Sequence, residues 1–277
     1  MQMNESEFLQ VYDISEYDRP SVTADIAAFG IRNKQSGNYR RDSERGLSIL
    51  LIRRGGHPYK DCWALPGGFM QRGETIEQCA LREIGEETSV VPDSLMPVGV
   101  YSAPDRDPRG WIISESFVCV ISEENVQERS GDDAADAQWF AVSLNDAGEG
   151  VYFLTLESEE EKLECRLVHN GRKFGTDHFS QSENSPLAFD HAVIIAEALS
   201  KLQSCAESFE MIFDFLPESF TLSALQSVRE AITGKTEQAA NFRRKSAPYV
   251  VETQEFSLGA GHRPARLYNK RRCPPPL

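Results

Sequence analysis

Apolar and polar positions along the chain follow two periods, and each period predicts one kind of element. Apolar residues alternate with others from Ser21 to Ile31, which predicts a strand with one face on a core. Residues 47–52 are almost wholly apolar and predict a strand buried on both faces. Strand-like patterns also occupy three later segments, at 98–101, 111–121 and 137–142. Residues 146–186 are polar and rich in loop-forming residues, and we treat them as an insertion of unassigned role.

A helical period appears between Ile76 and Thr88, where apolar residues recur every three or four positions. One helix among strands favours an α+β fold, an α/β/α sandwich with a mixed sheet, over a doubly wound parallel sheet. On this helix Glu83, Glu86 and Glu87 project together, and like charges at that spacing repel by roughly a few tenths of a kcal/mol per pair. Oxygen-rich clusters suit Mg²⁺ or Mn²⁺. The alternative is a solvated acidic helix.

The residues around this helix have a fixed spacing. Five residues separate Gly68 from Glu74, and seven separate Glu74 from the run Arg82-Glu83-Ile84-Gly85-Glu86-Glu87. This pattern resembles the Nudix box. The resemblance implies that the three glutamates bind divalent metal and are the catalytic carboxylates, and that Arg82 and Glu74 form an internal ion pair. Ser89 departs from the pattern, because the family usually has Gly there, which allows a left-handed residue as the helix ends.

A short loop beyond the helix carries two arginines. Arg106 and Arg109 lie in the run from Asp105 to Gly110, and two guanidiniums on a proline-restricted turn suit bidentate contact with phosphate. The alternative is a salt-bridged turn. Asp132 and Asp133 are either further ligands of the site or a turn.

The last third of the chain returns to helical spacing. A helix is predicted from Asp190 to Cys205, with Asp190 as its N-cap, and His191 near its start is interpreted as structural. Three more helices are expected. The first contains Phe209 to Leu216, the second is capped by Thr221 and ended by Gly234, and the third runs from Thr236 to Ser246 with Ala239, Ala240 and Phe242 facing inward.

This helix pattern is followed by two strands, at 249–256 and 265–268, joined by a glycine turn. A basic helix and a strand pair in this order predict a winged helix-turn-helix, in which the helix enters the major groove and the wing contacts phosphates. The expected DNA-binding residues are Asn241, Arg243, Arg244, Lys245, Arg263 and Arg266. The alternative is a helical appendage used only for dimerisation.

Together with residues 187–191, these C-terminal segments resemble the Nudix-related transcriptional regulators, over residues 18–270. That resemblance implies a domain that senses a nucleotide metabolite, ADP-ribose in the best-known group, and a homodimer that binds double-stranded operator DNA. The expected domains are an N-terminal arm (1–19), a Nudix domain (20–186), a connecting helix (187–206) and the winged helix (207–277).

Charge supports this division. The chain has 29 basic and 43 acidic side chains, which give a net charge of −14. Residues 229–277 contain ten of the basic side chains but only four of the acidic ones. This basic end is suited to a polyanion, although it is also compatible with a solvated tail. No apolar run of eighteen residues and no secretory signal are found, and six scattered cysteines form no CxxC pair. We therefore expect a cytoplasmic protein with no membrane segment, disulfide or zinc.

Two functions of different classes remain open at this level. One is a ligand-sensing regulator that binds DNA. The other is a Mg²⁺-dependent hydrolase of ADP-ribose or nucleotide sugars with an accessory C-terminal domain, because a metal held by carboxylates can activate water and neutralise a pyrophosphate.

Overall fold

The structure is a computed structural model that describes residues 3–33, 45–88, 92, 94–122, 137–173, 176–181, 185–257 and 264–271. The predicted connection at 33–45, the pair Asp132 and Asp133, and Ser89 fall largely or wholly outside the described residues. The N-terminal arm contains a helix, α1 (Glu5–Val11), which is exposed along its whole length. Asn4 caps it by accepting a hydrogen bond from the Glu7 N–H at 3.0 Å.

The described strands of the first domain form one ten-stranded sheet with the path β10-β9-β8-β7-β2-β1-β6-β5. β3 pairs with β2, and β4 pairs with β1. β1 and β6 are parallel and the other pairs are antiparallel, so the sheet is mixed. The strands are β1 (Ser21–Asn33), β2 (Arg45–Arg53), β3 (Trp63–Ala64), β4 (Gly67–Phe69), β5 (Ser94–Tyr101), β6 (Ile112–Ile121), β7 (Ala137–Gly148), β8 (Val151–Glu157), β9 (Lys162–Lys173) and β10 (Thr176–Gln181).

The segment 146–186 differs from the loop-rich insertion expected from its composition. The end of β7 and the whole of β8, β9 and β10 lie in it and extend the sheet by antiparallel pairing. Buried Leu154, Leu156, Cys165 and Leu167 alternate with polar residues along β8 and β9. The polar positions are the solvent-facing half of an alternating pattern, which explains why composition alone suggested loops.

Helices cover both faces of the sheet. Along β1, Ala24, Ile26 and Ala28 pack with α2 (Ile76–Thr88), whereas Ala27 and Phe29 belong to the core on the opposite face. That second core includes α3 (His191–Glu207). The strand therefore buries both faces between residues 23 and 31, where the sequence indicated only one.

The C-terminal part contains the expected wing and two of the expected helices. Its elements are β11 (Ser219–Thr221), α4 (Leu222–Thr233), α5 (Ala239–Ser246), β12 (Val250–Phe256) and β13 (Arg266–Lys270), with 3-10 helices at Ile212–Phe215 and Ala247–Tyr249. The three strands form a sheet in the order β11-β13-β12.

Three expectations for this part need correction. The apolar run at 209–216 forms a single 3-10 turn rather than an α-helix, although its large side chains are buried as expected. The third helix begins at Ala239 and not at Thr236. Ala239 and Ala240, which were expected to face inward, are exposed, whereas Phe242 and Ser246 are buried. An eight-residue helix can pack only one narrow row of side chains against the core.

The two parts of the chain share one interior. Leu225, Val228 and Ile232 of α4 belong to the same core as Phe29 and Leu51 of the sheet. No helix among the described residues is long and apolar enough to cross a bilayer. The five described cysteines are free thiols.

Candidate functional site

A glycine pair places the end of α2 against the sheet. β4 pairs with β1 so that Gly68 lies opposite Ala24, and Gly67 lies opposite Asp25. A Cβ on Gly67 would overlap the Ala24 carbonyl oxygen, and a Cβ on Gly68 would overlap the carboxylate of Glu83. Gly67 therefore needs glycine because backbone atoms leave no room for a Cβ, whereas a Cβ at Gly68 would displace the Glu83 carboxylate.

Glu83 and Glu87 flank this glycine pair. The Gly67 N–H donates to Glu87 Oε2 at 2.9 Å. Burial raises the pKa of Glu87 to about 7, and the charge of Glu83 adds to that rise. The raised pKa is that of a buried carboxyl with a second carboxylate beside it.

Arg82 holds the other side of the cluster. Its Nε and Nη2 donate to the two oxygens of Glu74 at 3.1 and 2.8 Å, the ion pair that the Nudix resemblance implied. The hydrogen bonds from Arg82 lower the pKa of Glu74 to about 2. Its Nη1 also lies 2.6 Å from Glu83 Oε1 and 3.3 Å from Glu86 Oε2.

Metal binding requires a change in these contacts. Within the part of the chain that the structure describes, no three Asp, Glu, His or Cys side chains are grouped to hold a metal ion. Glu86 is 61% exposed, and both Glu83 and Glu86 are occupied by Arg82. The donor set fits Mg²⁺ or Mn²⁺ chemically, because it consists of carboxylate oxygens.

A cavity of about 160 Å³ opens beside the glycine pair. The loop with Arg106 and Arg109 lines it, as do Asp25 and Gly68, so the structure joins the arginine loop to the Nudix turn. Glu83, Glu86 and Glu87 are not among the residues that line this cavity.

The two loop arginines have different surroundings. Arg106 is 4% exposed, and it donates to Asp190 from Nε at 3.0 Å and from Nη2 at 2.8 Å. Nη2 also reaches Asp25 Oδ2 at 3.3 Å. Arg109 is 38% exposed, bonds Asp107 at 2.7 Å, and lies over the Phe69 ring with its Cζ 4.9 Å from the centroid. Arg106 is therefore a buried structural cation, and Arg109 is the more accessible of the two.

His191 completes the buried network. The Leu65 N–H donates to His191 Nδ1 at 2.8 Å, and His191 Nε2 lies 3.7 Å from Asp25 Oδ1. Burial lowers the pKa of His191, which keeps the ring neutral. Ser114 donates to Asp25 Oδ2 at 2.5 Å. This arrangement agrees with the structural interpretation of His191.

Sequence reasoning missed four residues of this site: Asp25, Arg54, Phe189 and, as a partner of Arg106, Asp190. Asp25 is a charged residue in the middle of an apolar strand, and Arg54 follows a buried strand directly before Gly55-Gly56. Both positions carry a usable signal, because a charge at such a place needs a partner or a function. Phe189 carries no signal of this kind.

The winged helix exposes most of its predicted DNA-binding residues. Asn241, Arg243, Arg244 and Lys245 are exposed on α5. Thr221 caps α4 through the Ala224 N–H at 3.1 Å, and Gly234 ends it at a φ of 67°.

Two of the predicted DNA-binding cations are engaged by carboxylates. Lys245 pairs with Glu237, which lowers the pKa of that glutamate. Arg266 lies 2.8 Å from Glu252. Arg263 lies outside the described residues.

Comparisons with known proteins agree with this two-part arrangement. The family model of the NUDIX domain matches residues 34–153, and that of the NrtR DNA-binding winged helix domain matches residues 212–269. A crystal structure of a MutT/nudix family protein from Enterococcus faecalis is 31% identical, with a TM-score of 0.71, and the match covers 98% of this chain and 94% of that one. The chain belongs to the Nudix family.

Other relatives of this Nudix protein resemble it at both ends. The ADPR responsive transcriptional repressor NtrR of Acinetobacter baylyi is 29% identical over 268 residues, 96% of this chain and 88% of that one. Shewanella oneidensis NrtR, crystallised with a 27mer DNA, is 26% identical with a TM-score of 0.59, covering 90% of this chain and 93% of that one.

A further relative matches about a third of the chain. The ADP-ribose pyrophosphatase of Methanocaldococcus jannaschii is 47% identical over 100 residues, 36% of this chain and 58% of that one. The predicted fold, a Nudix domain followed by a winged helix, is confirmed.

Proposed function

We propose that this Nudix protein is a transcriptional regulator. Its Nudix domain binds ADP-ribose or a related nucleoside diphosphate derivative, and its winged helix binds operator DNA. The observation that carries the proposal is the exposed basic face of α5, formed by Arg243, Arg244 and Lys245, in the same chain as the Nudix cavity. The Acinetobacter repressor and the DNA-bound Shewanella protein support it, because each is similar over nearly the whole chain.

The DNA side follows from helix geometry and charge. A helix of eight residues is about 12 Å long at 1.5 Å per residue, which fits the major groove. Asn241 and Arg243, near the start and middle of α5, would contact base edges or phosphates. The wing would contact the DNA backbone through Arg266 and through Arg263, which lies beyond the described residues. A homodimer would present two such helices about 34 to 36 Å apart on successive half-sites. Such a regulator would act in the cytoplasm.

The ligand side uses the arginine loop and the carboxylates. Arg109, with Arg106 behind it, would receive the phosphates of the nucleotide. Glu83, Glu86 and Glu87 would hold Mg²⁺ or Mn²⁺. A bound divalent ion would neutralise phosphate charge beside the glycine pair. For this to occur, Glu86 must release Arg82, which the exposed position of Glu86 permits.

A second function has its own support. Glu83 and Glu87 remain at the glycine turn, and the Methanocaldococcus relative, an ADP-ribose pyrophosphatase, is similar over about a third of the chain. We therefore also propose residual Mg²⁺-dependent hydrolysis. Activity on ADP-ribose should disappear in the double variant Glu86→Gln, Glu87→Gln. Equal turnover by parent and variant would remove these carboxylates from the catalytic role.

The test of regulation is operator binding, measured by fluorescence anisotropy across a salt series with and without ADP-ribose. The expected result is tight binding at low salt that ADP-ribose weakens. Absence of DNA binding at low salt would refute the regulator. DNA binding that no nucleotide changes would leave the hydrolase as the function of the Nudix domain.

A further inference from the structure

Three guanidiniums line the cavity, and one differs from the others. Arg106 is paired with Asp190 and Asp25, and Arg109 is paired with Asp107. Arg54 also lines the cavity, and it makes no ion pair with any carboxylate in the described ranges of the chain. The carboxylates of Asp107, Glu87 and Asp25 attract its charge only from beyond ion-pair distance. A half-buried cation that lines a cavity in this way is placed to receive an anion.

Arg54 is held in place without using its charge. Its backbone N–H donates to the Cys62 carbonyl at 3.0 Å, and its carbonyl accepts the Asp61 N–H at 2.8 Å, which continues the β2–β3 pairing. Its Nε donates to the Pro58 carbonyl at 2.9 Å. Neither Nη group has a hydrogen-bond partner among the residues that the structure describes, so both can bind a ligand.

Phe189 provides a common platform for two of the arginines. The Cζ atoms of Arg54 and Arg109 lie 4.9 and 5.5 Å from the centroid of its ring. Phe189 has a φ of 53°, a left-handed value that a bulky residue adopts only when its surroundings enforce it. Gln181 Nε2 donates to its carbonyl at 2.9 Å. Both guanidiniums are therefore within cation–π distance of one ring, and all three residues line the same cavity.

We propose that Arg54 determines recognition of the anionic part of the ligand, and that Arg54 and Arg109 hold a pyrophosphate between them above Phe189. This inference rests on the proposed nucleotide binding and assigns its phosphate subsite. Arg106 then acts behind them as a positioning residue.

The size of the cavity agrees with this assignment. At about 160 Å³ it is smaller than the roughly 300 to 1,000 Å³ of pockets that enclose a whole small ligand. It can accept phosphate groups, while the nucleoside lies outside, near the exposed ring of Phe69 at the rim.

The experiment is calorimetric titration in EDTA with three probes: ADP-ribose, inorganic pyrophosphate and adenosine. Arg54→Gln should weaken ADP-ribose and pyrophosphate binding by about 10- to 100-fold, the range for charge-assisted hydrogen bonds. Arg54→Lys should recover part of the loss, because it restores charge without the planar fork. The matched control is Arg53→Gln, since Arg53 is exposed and does not line the cavity. Each variant is first shown to unfold at the parental temperature.

The outcomes distinguish failure of this inference from failure of the proposed function on which it rests. Parental affinity of Arg54→Gln for both phosphate probes would overturn the role of Arg54 and leave nucleotide sensing intact. Arg54-dependent binding of pyrophosphate without binding of ADP-ribose would support the subsite and refute ADP-ribose as the sensed ligand. A parent protein that binds neither probe in EDTA, and still binds neither when Mg²⁺ is supplied in excess, would refute both. An equal loss in Arg53→Gln would also overturn the assignment, since it would show a general charge effect.

Discussion

The guanidinium of Arg106 donates two hydrogen bonds, of 3.0 and 2.8 Å, to the carboxylate of Asp190. These bonds connect the arginine loop to the first turn of α3. Asp190 occupies the N-cap position that the sequence predicted, but its side chain makes no capping hydrogen bond. The carboxylate is used by the arginine instead. The side chain at the start of α3 is therefore held by a residue of the ligand cavity, while the Asp190 carbonyl accepts the first backbone hydrogen bonds of the helix.

We predict that Arg106→Ala destabilises the protein by about 3 to 5 kcal/mol, because buried Asp25 and half-buried Asp190 would lose the cation that balances their charges. Arg109→Ala should cost less, because Arg109 is 38% exposed and buried Asp107 keeps the hydrogen bond from the backbone N–H of residue 109 and the nearby charge of Arg106. Urea denaturation measures both. Similar losses in the two variants would contradict the division between a structural and an accessible arginine.

Asp190→Asn should reduce the coupling between ligand and DNA more than it reduces ligand affinity. α3 runs from the cavity to α4, where Gln203 donates to the Ile232 carbonyl at 3.2 Å. Arg229 of α4 also donates to the Ala206 carbonyl at 3.2 Å. A coupling of about 1 to 3 kcal/mol would lower operator affinity roughly 5- to 150-fold in the parent. Anisotropy titrations with and without ADP-ribose should show a smaller ratio in the variant, and an unchanged ratio would exclude this route.

The pKa of Glu87 predicts a pH dependence in metal-free protein. The folded state keeps its proton up to about pH 7, whereas the unfolded chain loses it near the ordinary value of 4.5. The favourable contribution is complete below pH 4.5 and is lost as pH rises through 7. In EDTA, Tm should fall over this window more in the parent than in Glu87→Gln. Mg²⁺ should restore more stability at pH 8 than at pH 5.5, and equal slopes for the two proteins would contradict the assignment.

Gly68→Ala should abolish divalent-metal binding, because the added methyl would overlap the Glu83 carboxylate. Gly85→Ala is the matched control in the same box, since nothing lies within 4 Å of a Cβ at that position. It should retain metal and gain about 0.5 to 1 kcal/mol of helix stability. Manganese titration followed by electron paramagnetic resonance distinguishes the two variants.

Replacing Arg244 and Lys245 with Ala should lower the slope of log K against log salt by up to about two, if both side chains meet phosphates. Nucleotide affinity of the free protein should stay at the parental value. Lys245 is paired with Glu237 in the free protein, so Glu237→Gln should strengthen DNA binding by releasing that cation. A parental salt slope in the double variant would move the phosphate contacts to another surface.

The sequence predicted the elements whose cause is local. The turn at Gly67-Gly68, the stripe on α2 and the cap at Thr221 each depend on residues within a few positions, and all are present. The 3-10 turn at 212–215 and the strands of 146–186 depend on distant partners, so periodicity misjudged them. The pairing of Arg106 with Asp190 joins residues 84 positions apart, and local spacing gave no sign of it.

The shared core also decides how this molecule can be divided. Phe209, Leu225 and Ile232 are buried in one interior with Phe29 and Leu51 of the sheet. Removing the chain from residue 207 onward would expose apolar core residues of the first domain to water. Such a surface is prone to aggregation. The Nudix part and the winged helix are therefore better regarded as one folding unit with two functional regions than as two independent domains joined by a flexible linker.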